Sequence, residues 1–279
     1  MTIFNALNLA TELLSSSNIA EPRREASSLL TFVLKKEAVF LFAHPEYELT
    51  DDESIRFEEV LRRRTLREPF QYITGSKEFY GLEFEVEPGV LIPRPETEIL
   101  VEEAIAILSK QQGSRFYEIG VGSGCIAVSI LHAVPNAQAV GVDISTKALA
   151  LAARNAERHH VADRLMLEDA NLFEGLSGEF DLIVSNPPYI PDGHLESLQA
   201  EVGRFEPHTA LFGGTDGLSI IKRIVNGAPQ FLKPEGFLLI EIGFGQAAGV
   251  RNLFDLSIWK TVEFLPDHQG ISRVVRCQM

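Results

Sequence analysis

Long hydrophobic runs are missing from this chain: stretches such as Phe237-Leu238-Leu239-Ile240 fall far short of the ~20 residues that cross a bilayer. No basic segment precedes the first apolar stretch, so neither a membrane anchor nor an export signal is expected, and a cytoplasmic protein is. Cysteine is almost absent too. Cys125 and Cys277 stand far apart and outside any CxxC arrangement, which gives no sign of a disulfide framework or a zinc site. Both read as small buried side chains, although a place at a helix start could give Cys125 some thiolate character. None of the seven histidines sits in an HExxH pattern, and no metal is expected. Positive charge is scarce: 25 Lys and Arg stand against 39 Asp and Glu, a net charge of -14, and a surface of that sign repels a phosphate backbone. Direct nucleic-acid binding is therefore not expected. The one basic cluster, Arg62-Arg63-Arg64 with Arg67, follows Glu58 and Glu59 at helical ion-pair spacing and reads as a solvated helix face rather than a partner-binding patch.

What remains is ordinary globular composition, and 279 residues against a usual domain of about 100 to 200 argue for two domains. Residues 1–80 read as a helical bundle for partner recognition. Ile3, Leu7, Ala10 and Leu14 keep helical spacing, Pro22 opens a second segment, and Asp51-Asp52-Glu53 starts a third. Residues 81–94 read as a β-hairpin linker, because Leu82, Phe84 and Val86 alternate with acids and Pro88-Gly89 makes a turn before Val90-Leu91-Ile92. Pro95 then begins a helix with Glu96 and Glu98 in its first turn, where negative charge suits the dipole. Across 95–279, apolar runs at Phe116-Tyr117, Ala139 to Val142, Leu165 to Leu167, Leu182 to Val184 and Phe237 to Ile242 alternate with helical stretches. That alternation predicts an α/β domain with a mostly parallel sheet, closed by an antiparallel edge pair at Thr261 to Phe264 and Ser272 to Val275.

Ligands of such sheets bind beyond the carboxyl ends of the strands, where three motifs fall. Glu118-Ile119-Gly120-Val121-Gly122-Ser123-Gly124 follows the first strand, and its glycines let the backbone approach a ligand. The GxGxG spacing differs from the GxGxxG of dinucleotide sites. Asp143, followed by Ile144, ends the next strand about twenty residues on, where a carboxylate accepts both ribose hydroxyls or simply caps a helix. Asp169-Ala170-Asn171 follows the third strand and would meet an adenine edge. Together they describe an adenosine pocket.

Asn186-Pro187-Pro188-Tyr189 follows the fourth strand. A planar amide or aromatic amine has a delocalised lone pair, and two fixed acceptors for its N–H bonds would hold the group and aim that lone pair. The Asn186 side-chain oxygen and the Pro187 carbonyl supply two, held by prolines that fix φ and bias the preceding residue to extended geometry. Tyr189 can lay its ring on a planar substrate group. An exposed proline-rich turn would use the same residues, but a buried strand before it and a glycine loop upstream argue otherwise.

The glycine loop, Asp143 and the 169–171 stretch resemble class I methyltransferases. Such a resemblance implies a Rossmann-like, mostly parallel seven-stranded sheet with an antiparallel edge. Pro69-Phe70-Gln71-Tyr72-Ile73-Thr74-Gly75, Phe79-Tyr80-Gly81, Leu91-Ile92-Pro93-Arg94-Pro95-Glu96-Thr97-Glu98 and Arg204-Phe205-Glu206-Pro207-His208-Thr209-Ala210-Leu211 look like the protein-(glutamine-N5) methyltransferase family, known as HemK or PrmC. The resemblance spans nearly the whole chain. It implies transfer of a methyl group from S-adenosyl-L-methionine, leaving S-adenosyl-L-homocysteine, to the glutamine of the Gly-Gly-Gln loop in class 1 peptide chain release factors. It also implies a cofactor site at Glu118, Gly120, Val121, Gly122, Ser123, Gly124, Asp143, Ile144, Asp169, Ala170, Asn171 and Asn186, closed by Arg94, Glu96 and Thr97. The implied substrate site holds Asn186, Pro187, Pro188, Tyr189, Glu206 and Pro207, with Asn186, Pro187 and Tyr189 catalytic. Asn171 is followed by Leu172 and Phe173, which leaves open which side chain covers the adenine ring. A monomer is expected. Two alternatives share the chemistry: methylation of a ribosomal-protein glutamine, and methylation of an exocyclic amine on adenine or guanine.

Overall fold

A computed structural model describes residues 1–110 and 113–279 and divides them into two compact units. One comprises Met1–Gly75 with Gln199–Phe205, the other Ser76–Leu198 with Glu206–Met279.

The first unit is helical: α1 (Ile3–Ser16), α2 (Pro22–Leu34), α3 (Ala38–Ala43), α4 (Asp51–Thr65) and α5 (Phe70–Thr74). Local chemistry sets the starts. The Thr2 side chain accepts from the Asn5 N–H to cap α1, Pro22 occupies the first turn of α2, and Thr50 and Glu53 form a reciprocal capping box on α4. Ile3, Leu7, Ala10 and Leu14 bury one face of α1 in a core shared with Leu29, Leu30 and Val33 of α2 and with Phe57 and Leu61 of α4. The basic cluster divides. Arg62 is exposed and pairs with Glu59, but Arg64 is buried with its guanidinium between Glu25 (2.6 Å) and Glu201 (3.0 Å), and Arg67 also reaches Glu201 (2.6 Å). A fully solvated face is thus corrected, because Glu201 comes from far along the chain and local spacing cannot reveal it.

The second unit opens with β1 (Ser76–Phe79) and β2 (Leu82–Glu85), an antiparallel hairpin. Tyr80 and Gly81 both take positive φ, 51° and 72°, as a two-residue turn matched to strand twist requires. The hairpin expected over 81–94 is therefore corrected. Its first strand lies at 76–79, and although Pro88-Gly89 does turn, with the Val90 N–H donating to the Glu87 carbonyl, no strand follows. Val90 and Ile92 are buried instead.

A single 3₁₀ turn at Pro95–Thr97 leads into α6 (Glu98–Leu108), and alternating elements follow: β3 (Arg115–Ile119), α7 (Cys125–Ala133), β4 (Gln138–Asp143), α8 (Thr146–Arg158), β5 (Leu165–Asp169), β6 (Phe180–Ser185), α9 (Ala200–Phe205, part of the first unit), α10 (Ser219–Gly227), β7 (Leu232–Glu241), α11 (Ala247–Arg251), β8 (Thr261–Pro266) and β9 (Ser272–Gln278). The sheet has seven strands in the order β5-β4-β3-β6-β7-β9-β8, parallel through β7, with β9 antiparallel to both β7 and β8. Successive residues face opposite sides, so Phe116 enters a core with α6, α7 and α8, while Tyr117 enters one with α10 and α11. From β3 the chain builds outward first through β4 and β5, then back through β6 and β7, which places the crevice at the carboxyl ends of β3 and β6. Among the described residues no helix is long and apolar enough to cross a membrane.

Candidate active site

Three glycines with positive φ, Gly120 (75°), Gly122 (55°) and Gly124 (80°), carry the chain from β3 into α7. The loop is pinned from below. Gly120 and Val121 donate to the Val142 carbonyl (2.8 and 2.9 Å), and Gly122 donates to Asp143 Oδ2 (2.9 Å). Asp143 Oδ1 accepts from the Ser145 N–H (2.9 Å), and Ser145 in turn caps α8. Both readings of Asp143 therefore meet in one residue: it braces the turn into α8, and it lines the pocket with lone pairs to spare. Burial raises its pKa, while these N–H donors pull the other way. The glycines differ in purpose. A Cβ at Gly124 would sit 3.1 Å from that of Ala152 on α8, whereas one at Gly120 would meet nothing within 4 Å. Gly124 allows helix packing, and Gly120 and Gly122 front the open cleft.

Behind the loop, Glu118 is fully buried. Its Oε2 accepts from the Ala127 N–H (2.9 Å), its Oε1 has no partner, and burial drives its pKa well up. The same burial, with Glu118 nearby, pushes the Cys125 thiol up to about 12, so the thiolate character considered for a helix-start cysteine is absent. On the other wall lie Ile144, Ala170, Asn171 and Leu172. Phe173 packs in the core, stacked on Phe231 (5.2 Å between centroids) and Tyr117 (6.1 Å), so Leu172 is the side chain beside the pocket.

Asn186, Pro187 and Pro188 form the facing wall. Ser185 ties the end of β6 to β3 by donating to the Ile119 carbonyl (2.8 Å). Asn186 Nδ2 donates to Thr97 Oγ1 (3.1 Å), and the Thr97 hydroxyl donates to Glu241 Oε2 (2.6 Å). Tyr189 donates from its hydroxyl to Glu241 Oε1 (3.2 Å), and its carbonyl accepts from Gln246 (2.9 Å). It braces the turn from behind and does not line the pocket. Arg94 lines the pocket and donates to the buried Glu206 Oε1 (2.6 Å); burial raises the Glu206 pKa against the pull of Arg94. Val121, Ser123, Thr97 and Pro207 also line the cleft, while Gly124, Glu96, Asp169 and Glu206 stand outside its lining.

Sequence reasoning missed Glu241, which belongs to no motif. Its only signal is a carboxylate closing the buried run Phe237 to Ile240 at the carboxyl end of a strand, the place where functional groups collect. It also missed Val90, Ile92, Thr209 and Phe212, apolar and small residues that complete the lining.

Comparison with known proteins agrees with this architecture. The family model described as the PrmC N-terminal domain matches residues 5–75, and that of the methyltransferase small domain matches 96–201. A release factor glutamine methyltransferase of Geobacter sulfurreducens is 44% identical over 98% of this chain and 95% of its own. One from Koribacter versatilis is 40% identical over 99% and 98%. The crystal structure of a methyltransferase from Pyrococcus furiosus, 18% identical with a TM-score of 0.55, covers 81% of this chain and 98% of its own and shares the fold.

Proposed function

Because the chain belongs to the release factor glutamine methyltransferase family, we propose that it methylates the side-chain amide nitrogen (N5) of the glutamine in the Gly-Gly-Gln motif of class 1 peptide chain release factors, with S-adenosyl-L-methionine as donor. It is an enzyme, a protein-glutamine N-methyltransferase. The observation that carries the residue assignment is a pair of neighbouring oxygens. Asn186 and Pro187 line the same cleft as the glycine loop, and among the described residues neither Asn186 Oδ1 nor the Pro187 carbonyl accepts a hydrogen bond.

The residues present fit the donor. Glu118 Oε1, buried without a partner, suits a cationic amine, and the space in front of Gly120 leaves room for a ligand against the backbone. Asp143 would take the ribose hydroxyls, and Ala170 and Asn171 the adenine edge, with Ile144 and Leu172 offering apolar contact. When bound, S-adenosyl-L-methionine supplies an electrophilic methyl group on a sulfonium sulfur.

The chain's own residues would do the rest. Asn186 Oδ1 and the Pro187 carbonyl accept the two N–H bonds of the substrate amide, which draws its nitrogen towards tetrahedral geometry and aims its lone pair. Pro187 and Pro188 lack N–H groups and fix φ, so these acceptors are held before the substrate arrives. The proton becomes acidic as the nitrogen is alkylated and leaves to water, so no strong base is required. The helical unit is assigned to recognition of the protein partner. Incubation with a release factor and isotopically labelled cofactor, followed by peptide mass spectrometry, is expected to place one labelled methyl on that glutamine; an unlabelled glutamine would reject the assignment.

A further inference from the structure

We infer that Thr97 and Glu241 are positioning residues for methyl transfer, which together fix the end of the Asn186 amide that faces the substrate. The inference rests on the role proposed for Asn186 and adds what orients it.

A threonine hydroxyl has one proton to give, and an ionised carboxylate only accepts. Thr97 and Glu241 are both buried, and the Thr97 oxygen lies 2.6 Å from Glu241 Oε2, so its proton is committed there. The same oxygen can then only accept from Asn186, at 3.1 Å, and the group it accepts from must be the NH2. The Asn186 oxygen is thereby turned to the other side. An amide free to rotate about its last side-chain bond would present NH2 to the substrate as readily as oxygen, and two NH2 groups facing each other cannot bond. The second oxygen of Glu241 accepts from Tyr189, so a single carboxylate anchors both ends of the Asn186 to Tyr189 turn from β7.

The proton count on Glu241 sets the direction of the chain of bonds. Besides Thr97 and Tyr189, the groups facing it are Glu96 from the 3₁₀ turn, Arg273 on β9 and the Cys125 thiol on α7. Burial, with Glu96 reinforcing it and Arg273 opposing it, brings the Glu241 pKa to about 7. A protonated Glu241 can donate to Thr97, free the Thr97 proton for the Asn186 oxygen, and reverse the amide.

The test compares full-length variants for kcat, for KM toward a release factor, and for S-adenosyl-L-methionine affinity by calorimetry. Thr97→Val, equal in shape but without a hydroxyl, is expected to lower kcat by about tenfold to a hundredfold, with KM and cofactor affinity held within about threefold. Thr97→Ser should recover most of the loss. In the double variant Thr97→Val with Asn186→Ala, the reaction should be no slower than with Asn186→Ala alone, since both changes remove one oriented group. Wild-type kcat should rise with pH through about 7, and Glu241→Gln should abolish that limb. A Thr97→Val enzyme with wild-type kcat, additive losses in the double variant, or an unchanged acid limb in Glu241→Gln would each overturn the inference. Full activity of Asn186→Ala would instead overturn the reading of the turn itself, so the two failures are distinguishable.

Discussion

Asp143 serves the glycine loop and the start of α8 with one carboxylate, and its remaining lone pairs belong to the pocket. Asp143→Ala is therefore expected to weaken S-adenosyl-L-methionine binding by about tenfold or more, on the scale of one lost charged hydrogen-bonding partner, before it affects turnover at saturation. Titration calorimetry checks this, and unchanged affinity would move the ribose site elsewhere. Glu241 carries a cost that follows from its burial. Its pKa lies at about 7, above the ordinary carboxylate value of 4.5, so its contribution to stability is fully present below that ordinary value and is lost as pH rises through 7. The Glu241→Gln variant should accordingly gain in melting temperature relative to wild type between about pH 5 and about pH 8, whereas a constant difference would mean that the group is ionised throughout. That Gly120, Asp143 and Asn186 line one cleft was legible in the sequence, because each belongs to a short motif at a strand end. Glu241 was not, because its partners Thr97 and Tyr189 are brought to it only by the sheet.

The Asn186 to Tyr189 turn owes its shape to more than its own prolines. Ile190 bonds with Leu211 and Gly213, and the glycines that follow press against the turn. A Cβ at Gly217, which has φ 72°, would lie 2.2 Å from the Tyr189 carbonyl oxygen, and one at Gly213 would lie 2.3 Å from that of Pro188. Gly217→Ala must shift the turn, so kcat is expected to fall by about tenfold or more while cofactor affinity stays within about threefold. A variant of unchanged kcat would show that the turn tolerates displacement. Strands at this level were readable from apolar runs, and helix starts from Pro22 and from the acidic Asp51-Asp52-Glu53 turn, because both signals are local. The hairpin was misplaced because alternation marked β2 correctly, while its partner β1, Ser-Lys-Glu-Phe, carries almost no alternation to read.

Across the whole molecule, the acidic balance of -14 suits a protein substrate better than a phosphate backbone. The two broad regions were legible from composition and periodicity, but the membership of Gln199–Phe205 in the helical unit was not, since Glu201 joins it through Arg64 and Arg67. Removing Arg64 leaves Glu25 and Glu201 without their shared buried partner, and Arg64→Ala is expected to destabilise that unit by on the order of 3 kcal/mol. Hydrogen exchange should show protection lost in 1–75 and 199–205 together and retained in the sheet. Loss confined to α4 would contradict their unity.

The most direct test of the central claim is the single-turnover rate of methyl transfer by Asn186→Ala on a release factor, with cofactor affinity measured on the same preparation. With the Asn186 oxygen gripping the amide, the rate should fall by about a hundredfold or more at unaltered affinity. A wild-type rate, or a loss matched by equal loss of cofactor binding, would contradict it.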